Sequence, residues 1–199
     1  MKNNSHTKQY NKSEKNELTC KQIINIIEYM TTKHSKALFT RLDLMNASDA
    51  DTIMQRKHIT RILESTKRTL NRKLKDSSNK LDMHYVWTTE QTPSAKHPHY
   101  HLFIGVNGNA IRNGYSIMAA ILPHVQKVQQ TNNAGLVHFS ESNGSYGVMC
   151  DRNKDDFTAQ RAKAFEIGSY LAKLYSKEGN AKWARFSSAS RLPRPFGAR

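Results

Sequence analysis

Apolar residues recur at helical spacing in ELTCKQIINIIEYMTTKHSK, residues 17–36, where Leu18, Ile23, Ile26, Ile27 and Met30 predict an amphipathic helix. ALFTRLDL, 37–44, reads as a strand. SDADTIMQRKHITRILESTKRTLNRKLK, 48–75, opens on cap-forming Ser and Asp and carries Ile53, Ile59, Ile62, Leu63, Leu70 and Leu74 among basic residues, which predicts the longest helix. Two strands follow, DMHYVWTTEQ and HYHLFIGVN, joined by TPSAKHP, whose prolines and short polar residues suit a hairpin connection. A further helix is predicted from Ser116 to about Gln130, with Pro123 a kink or boundary. AGLVHFSES and YGVMCDR are short strand candidates flanking a turn at NGS. From Asp155 the pattern predicts a capped helix that stops at Gly179, and the remainder is a basic tail without periodicity.

Strands interrupted by long helices, around one central hairpin, predict an α+β fold: a central antiparallel sheet with helices packed mainly on one face. Residues 1–16 are almost wholly polar and are expected to be a disordered lead-in, 17–191 one folded domain, and 192–199 a basic C-terminal tail. There is no internal repeat and no phosphate loop of the G-x-x-x-x-G-K-[ST] type, so any DNA unwinding would fall to another protein.

Charge narrows the partner. The 199 residues carry a net charge of +15, spread along the chain, which favours a polyanion and most simply nucleic acid. Two cysteines, Cys20 and Cys150, can build neither a disulfide framework nor a four-thiolate zinc site. The polar N-terminus has no apolar export core and no stretch approaches the roughly 18 apolar residues of a membrane span, so a cytoplasmic location is expected.

The hairpin carries candidate chemistry. A turn centred between Ser94 and Ala95 sets residue 90 opposite 99 and 88 opposite 101, all on one face. Glu90 then lies beside His99 and His101, and two imidazoles with a carboxylate can hold one divalent ion with open coordination positions. A register slip of one residue would turn Glu90 away, and His97 competes for the third place. Taken alone, an H-x-H near a turn is more often simply solvated.

Later, in EIGSYLAKLYSK, Tyr170 and Lys173 are three apart on the predicted helix and share a face. A tyrosine offered to a metal-bound phosphodiester can attack phosphorus and retain the strand as a phosphotyrosine. Its ordinary pKa of about 10 means that nearby positive charge helps supply the phenolate. Tyr175 lies roughly 140° around the helix, so no tandem pair is formed. On its own, Y-x-x-K is more simply a packed tyrosine with a snorkelling lysine.

Together and in this order, ALFTRLDL, EQTPSAKHPHYHLFIGVN and SYLAKLYSK resemble the HUH endonucleases, and most closely the replication-protein family of filamentous phages, over roughly residues 36–191. The resemblance implies His99 and His101 as metal ligands, with Tyr100 as the hydrophobic residue between them, and Glu90 as the third. It implies Tyr170 as nucleophile, Lys173 as its basic partner, and Mg²⁺ or Mn²⁺ as cofactor. Arg41 and Asp43 fall on the strand of the first family motif, and Lys96, Lys177, Arg185 and Arg191 join Arg41 as candidate DNA contacts. The tyrosine follows the histidines, as in replication initiators and single-tyrosine transposases rather than relaxases. The implied activity is metal-dependent nicking and rejoining of single-stranded or hairpin origin DNA to start rolling-circle replication of a phage, satellite or plasmid, with a host helicase and polymerase as partners. A transposase or mobilisation nickase, or a non-catalytic basic DNA-binding regulator, are the alternatives.

Overall fold

The computed structural model describes residues 16–47, 54–90, 97–139, 146–173 and 187–193. Its elements in chain order are α1 (Glu17–Lys33), β1 (Lys36–Leu44), α2 (Arg56–Lys73), β2 (Met83–Glu90), β3 (His99–Asn107), α3 (Gly114–Gln129), β4 (Val137–Phe139), β5 (Val148–Asp151), α4 (Phe157–Ser169), a 3₁₀ turn (Tyr170–Ala172) and β6 (Ser187–Ala189). The fold is α+β, and all strand pairings are antiparallel in a six-stranded sheet of order β4-β1-β3-β2-β6, with β5 also on β1.

The central hairpin has the register that the sequence predicts, with Glu90 opposite His99 and Thr88 opposite His101. The helices, in contrast, cover both faces rather than mainly one. Even-numbered residues of β3, Tyr100, Leu102, Ile104 and Val106, enter one core with Ile59, Ile62 and Leu63 of α2 and Ile117 and Ile121 of α3. Phe103 on the alternate face joins Phe39, Val86, Ile23, Ile26 and Met30 of α1, and Ala164 and Ile167 of α4. The physical reason is visible in LFIGV, residues 102–106, an unbroken apolar run that offers both sides of one strand for burial.

Several element ends also differ. The helix expected from Ser48 has its N-cap at Gln55, whose backbone N–H donates to His58 Nδ1 at 3.1 Å; the expected Ser and Asp caps and Ile53 lie outside the described residues. α3 runs through Pro123. β4 and β5 do not pair with each other but lie along β1, at Leu42–Leu44 and Lys36–Phe39 respectively. β6 falls in the stretch that lacks periodicity: it is an edge strand on β2, anchored where Tyr85 N–H donates to Ser190 Oγ at 3.0 Å. Leu192, assigned to the tail by composition, packs against the α1–α4 core.

The helix expected to reach Gly179 ends as α at Ser169. Its last residues tighten into the 3₁₀ turn, closed by Lys173 N–H donating to the Tyr170 carbonyl at 3.2 Å, while Leu171 and Ala172 drop into the core. Gly168 permits this close approach, since a Cβ there would lie 2.9 Å from the Phe103 ring and from Ile23 Cγ2. Residues 174–186, including Tyr175, Lys177 and Arg185, lie outside the described residues, as do Lys96 and residues 1–15 of the polar lead-in. Among the described residues no helix is long and apolar enough to cross a membrane, and both cysteines are free thiols.

Candidate active site

Because the side-chain period of a strand is two, one row of residues crosses the α1–α4 face of the sheet: Thr88, His101, Asp43 and His138, paired in turn across β2, β3, β1 and β4. Arg41 lies two positions from Asp43 and Glu90 two from Thr88, on the same face. His101 is the hub. Its Nδ1 contacts Asp43 Oδ1 at 2.7 Å, and its Nε2 is hydrogen-bonded with Glu90 Oε2. Asp43 is held in turn by Arg41, through Nε at 3.3 Å and the terminal nitrogen Nη2 at 3.1 Å.

Burial lowers the basicity of His101, but the Asp43 and Glu90 carboxylates more than offset it and raise the imidazole above its ordinary value. Burial pushes Asp43 the other way as well, yet the bonds from His101 and the Arg41 charge hold its carboxyl below the usual range. The result is a four-residue relay, Arg41–Asp43–His101–Glu90, drawn from three adjacent strands.

Tyr170 sits against this relay. Its ring is 5.3 Å from the His101 ring, edge to face, with Arg41 Cζ 3.5 Å and Lys173 Nζ 3.6 Å from its centroid. The 3₁₀ turn rather than an α-helix makes the Tyr170–Lys173 contact, because residues i and i+3 eclipse at three residues per turn. Tyr170 remains partly exposed while Ser169 and Leu171 on either side are buried.

Of the predicted ligands, His101 and Glu90 meet. His99 shares their face and pairs with Glu90 across the ladder, but among the described residues no three His, Cys, Asp or Glu side chains close into a metal-holding group. The donor chemistry suits a divalent ion: an imidazole nitrogen and a carboxylate converge from adjacent strands, with a carboxylate behind the imidazole to fix its orientation. Beside them Thr88 Oγ1 is buried without a hydrogen-bond partner. Arg191 is exposed beyond β6, at the end of β2 remote from Glu90, and does not join the cluster.

Two participants escape the spacing rules. Asp43 is placed under His101 only by the β1–β3 register, and His138, a lone exposed histidine on a three-residue strand, is brought beside Asp43 only by β4. The resemblance of ALFTRLDL on β1 to the first HUH motif is the one sequence signal that pointed toward Asp43.

No curated protein and no solved structure matches the chain. One family model does, over residues 1–189, and on that match the chain belongs to the YagK/YfjJ C-terminal domain family.

Proposed function

We propose that the protein is a metal-dependent nicking and rejoining enzyme for single-stranded DNA that starts rolling-circle replication of a phage, satellite or plasmid in the bacterial cytoplasm. The observation that supports this reading best is the seating of Tyr170, with Arg41 and Lys173 against its ring, on a histidine oriented by one carboxylate and facing a second. A phosphodiester laid on this surface meets a nucleophile and two cations together, and preorganised charge of that kind is a large part of phosphoryl-transfer catalysis.

In the proposed step the Tyr170 oxygen bonds to phosphorus as the bond from phosphorus to the 3′-oxygen breaks. The phenol proton passes to solvent or a neighbouring base, and the leaving oxygen takes up a proton to become a free 3′-hydroxyl that can prime a polymerase. The 5′ side stays on Tyr170 as a phosphodiester, so its bond energy is kept for rejoining. His101 and Glu90, with His99 on the same face, would hold a Mg²⁺ or Mn²⁺ ion, which when bound polarises the scissile phosphate. Arg41 has two roles: it fixes Asp43, and it adds positive charge at Tyr170.

Incubation with labelled single-stranded origin DNA and Mn²⁺, followed by a denaturing gel, tests the proposal. Wild type is expected to carry label covalently, and Tyr170→Phe to bind the DNA but carry none. An undiminished adduct in Tyr170→Phe would move the nucleophile elsewhere, with Tyr175 first in line. The second reading, a non-catalytic DNA-binding regulator, draws on the absence among the described residues of a three-ligand group. It is selected if Mn²⁺ neither binds nor supports nicking.

A further inference from the structure

The basic charge of the chain is unevenly placed on the folded domain. Along α2, Lys57, Arg61, Arg68 and Arg72 are all exposed and, at 3.6 residues per turn, fall within an arc of about 60°. Ser65 fills the gap between them and accepts a hydrogen bond from Arg68 at 2.8 Å. The one carboxylate of the helix, Glu64, lies about 20° outside that arc and is half-buried, where it accepts the Tyr85 hydroxyl at 3.2 Å, so the exposed side chains within the arc are all cationic. From α3, His124 contacts Thr69 at 3.1 Å, which brings the exposed Lys127 alongside. Burial first, and then the fields of Arg68, Lys127 and Arg72, lower the basicity of His124, an independent sign that charges from two helices converge there.

This ridge is on the sheet face opposite Tyr170, since α2 and α3 pack on the core of Leu102 and Ile104 while His101 and Phe103 face the other way. It rises about 22 Å from Lys57 to Arg72, long enough to run beside about six phosphates of one strand. No Phe, Tyr or Trp occurs in α2, so the ridge lacks the stacking platforms with which proteins hold single strands. Large exposed apolar side chains are also absent from it, those of the described residues being Leu18, Ile24, Tyr115 and Tyr146, and so a membrane surface is poorly served. What fits a row of flexible cations with neither feature is the phosphate backbone of a duplex.

We infer that the α2 ridge, flanked by Lys127, is a binding surface for duplex DNA, distinct from the Tyr170 face. The domain then grips a duplex arm on one side of the sheet and a single strand on the other; only the single-strand half of that arrangement rests on the proposed nicking function.

Fluorescence anisotropy of a labelled blunt duplex tests the inference on the full chain. The combined variant Lys57→Gln, Arg61→Gln, Arg68→Gln, Arg72→Gln is expected to bind the duplex about tenfold or more weakly at about 50 mM salt. Its plot of log affinity against log salt should flatten by about three to four. Covalent adduct formation on a short single strand should stay at the wild-type level. Arg68→Glu alone, with an unchanged circular dichroism spectrum, should already weaken duplex binding. Lys21→Gln with Lys154→Gln, whose side chains lie off the ridge, should not. Duplex affinity and salt slope unchanged in the combined variant would overturn the inference. So would equal weakening by the Lys21/Lys154 pair, or loss of binding to phosphatidylglycerol vesicles with duplex binding intact. If wild type forms no adduct at all, the nicking proposal falls while the duplex measurement still decides this one.

Discussion

One face of the sheet carries two clusters of carboxylates and histidines, at opposite ends of β2, and they are built inversely. At the far end Asp82 is the hub: it takes Lys33 at 2.9 Å, His34 Nε2 at 2.9 Å, His84 Nε2 at 3.1 Å and the Tyr29 hydroxyl at 3.2 Å, and His84 Nδ1 continues to Ser190 at 3.1 Å. Every spoke ends on a group that ties α1, β2 and β6 together. At the near end His101 is the hub, between Asp43 and Glu90, with a partly exposed tyrosine against its ring and two cations against the tyrosine. The residue types are the same and the burial is similar. What differs is the outer edge: the Asp82 network closes on α1, β2 and β6, whereas the His101 network ends at the partly exposed Tyr170, the proposed nucleophile, and at Glu90, a proposed metal ligand. Hub identity matters because a central carboxylate is satisfied by donors alone, while a central imidazole can exchange a proton on one nitrogen for a metal or substrate contact.

Removing the two hubs should separate the clusters most widely. His101→Ala is expected to cut the rate of adduct formation by about a thousandfold or more, because it deletes both a proposed metal donor and the platform under Tyr170. Single-turnover kinetics with labelled single-stranded DNA measure this. A rate within about tenfold of wild type would break the comparison by making the His101 cluster as structural as its counterpart.

Matched Asp→Asn substitutions give the next largest effects, in opposite measurements. Asp82→Asn leaves Lys33, His34 and His84 with a neutral acceptor in a half-buried setting and should cost about 2–3 kcal/mol of unfolding free energy in urea titrations. Its nicking rate per folded molecule should stay within about twofold of wild type. Asp43→Asn keeps an acceptor for His101 but loses the charge that orients it, and is expected to lower metal affinity or nicking about ten- to a hundredfold. If Asp43→Asn instead changes only stability, the relay through Arg41 and Asp43 has no part in catalysis.

How much of this was legible in the chain follows from what each signal depends on. The Glu90–His99 and Thr88–His101 pairs followed from a register assumed about a centre between Ser94 and Ala95, which the strand pairing bears out; the period of two then puts all four side chains on one face, and a slip of one residue would have turned Glu90 away. The coverage of both sheet faces is also written in LFIGV, although strands interrupted by long helices fit a one-sided layer equally well. Tyr170 and Lys173 were found by spacing, although the 3₁₀ turn that joins them depends on Leu171 and Ala172 reaching the core and on Gly168 admitting the Phe103 ring. The Asp82 network was not legible, since His34, Asp82, His84 and Ser190 share no local spacing and meet only through the packing of α1 and β6 on β2. Nor was β6: three small residues have no pattern of their own, and an edge with free backbone groups recruits them.

The smallest effect is a pH dependence that should distinguish the two ends by stability alone. Burial opposes the Asp82 charge, but His84, His34 and Lys33 outweigh it and hold the carboxyl far below the ordinary range. A carboxyl depressed in the folded state contributes stability that is fully present above its unfolded value, near about 3.9, and is lost as pH falls toward the folded value. The stability gap between wild type and Asp82→Asn should therefore be present above about pH 5 and should close below about pH 4, by at most about 1.4 kcal/mol per pH unit. Urea titrations of both proteins at matched pH measure it. A gap that stays constant down to about pH 3 would mean that the four donors around Asp82 act through hydrogen bonds that an amide accepts equally well. The charge would then be dispensable at this end of β2, and the contrast with the His101 cluster would lie in geometry rather than electrostatics.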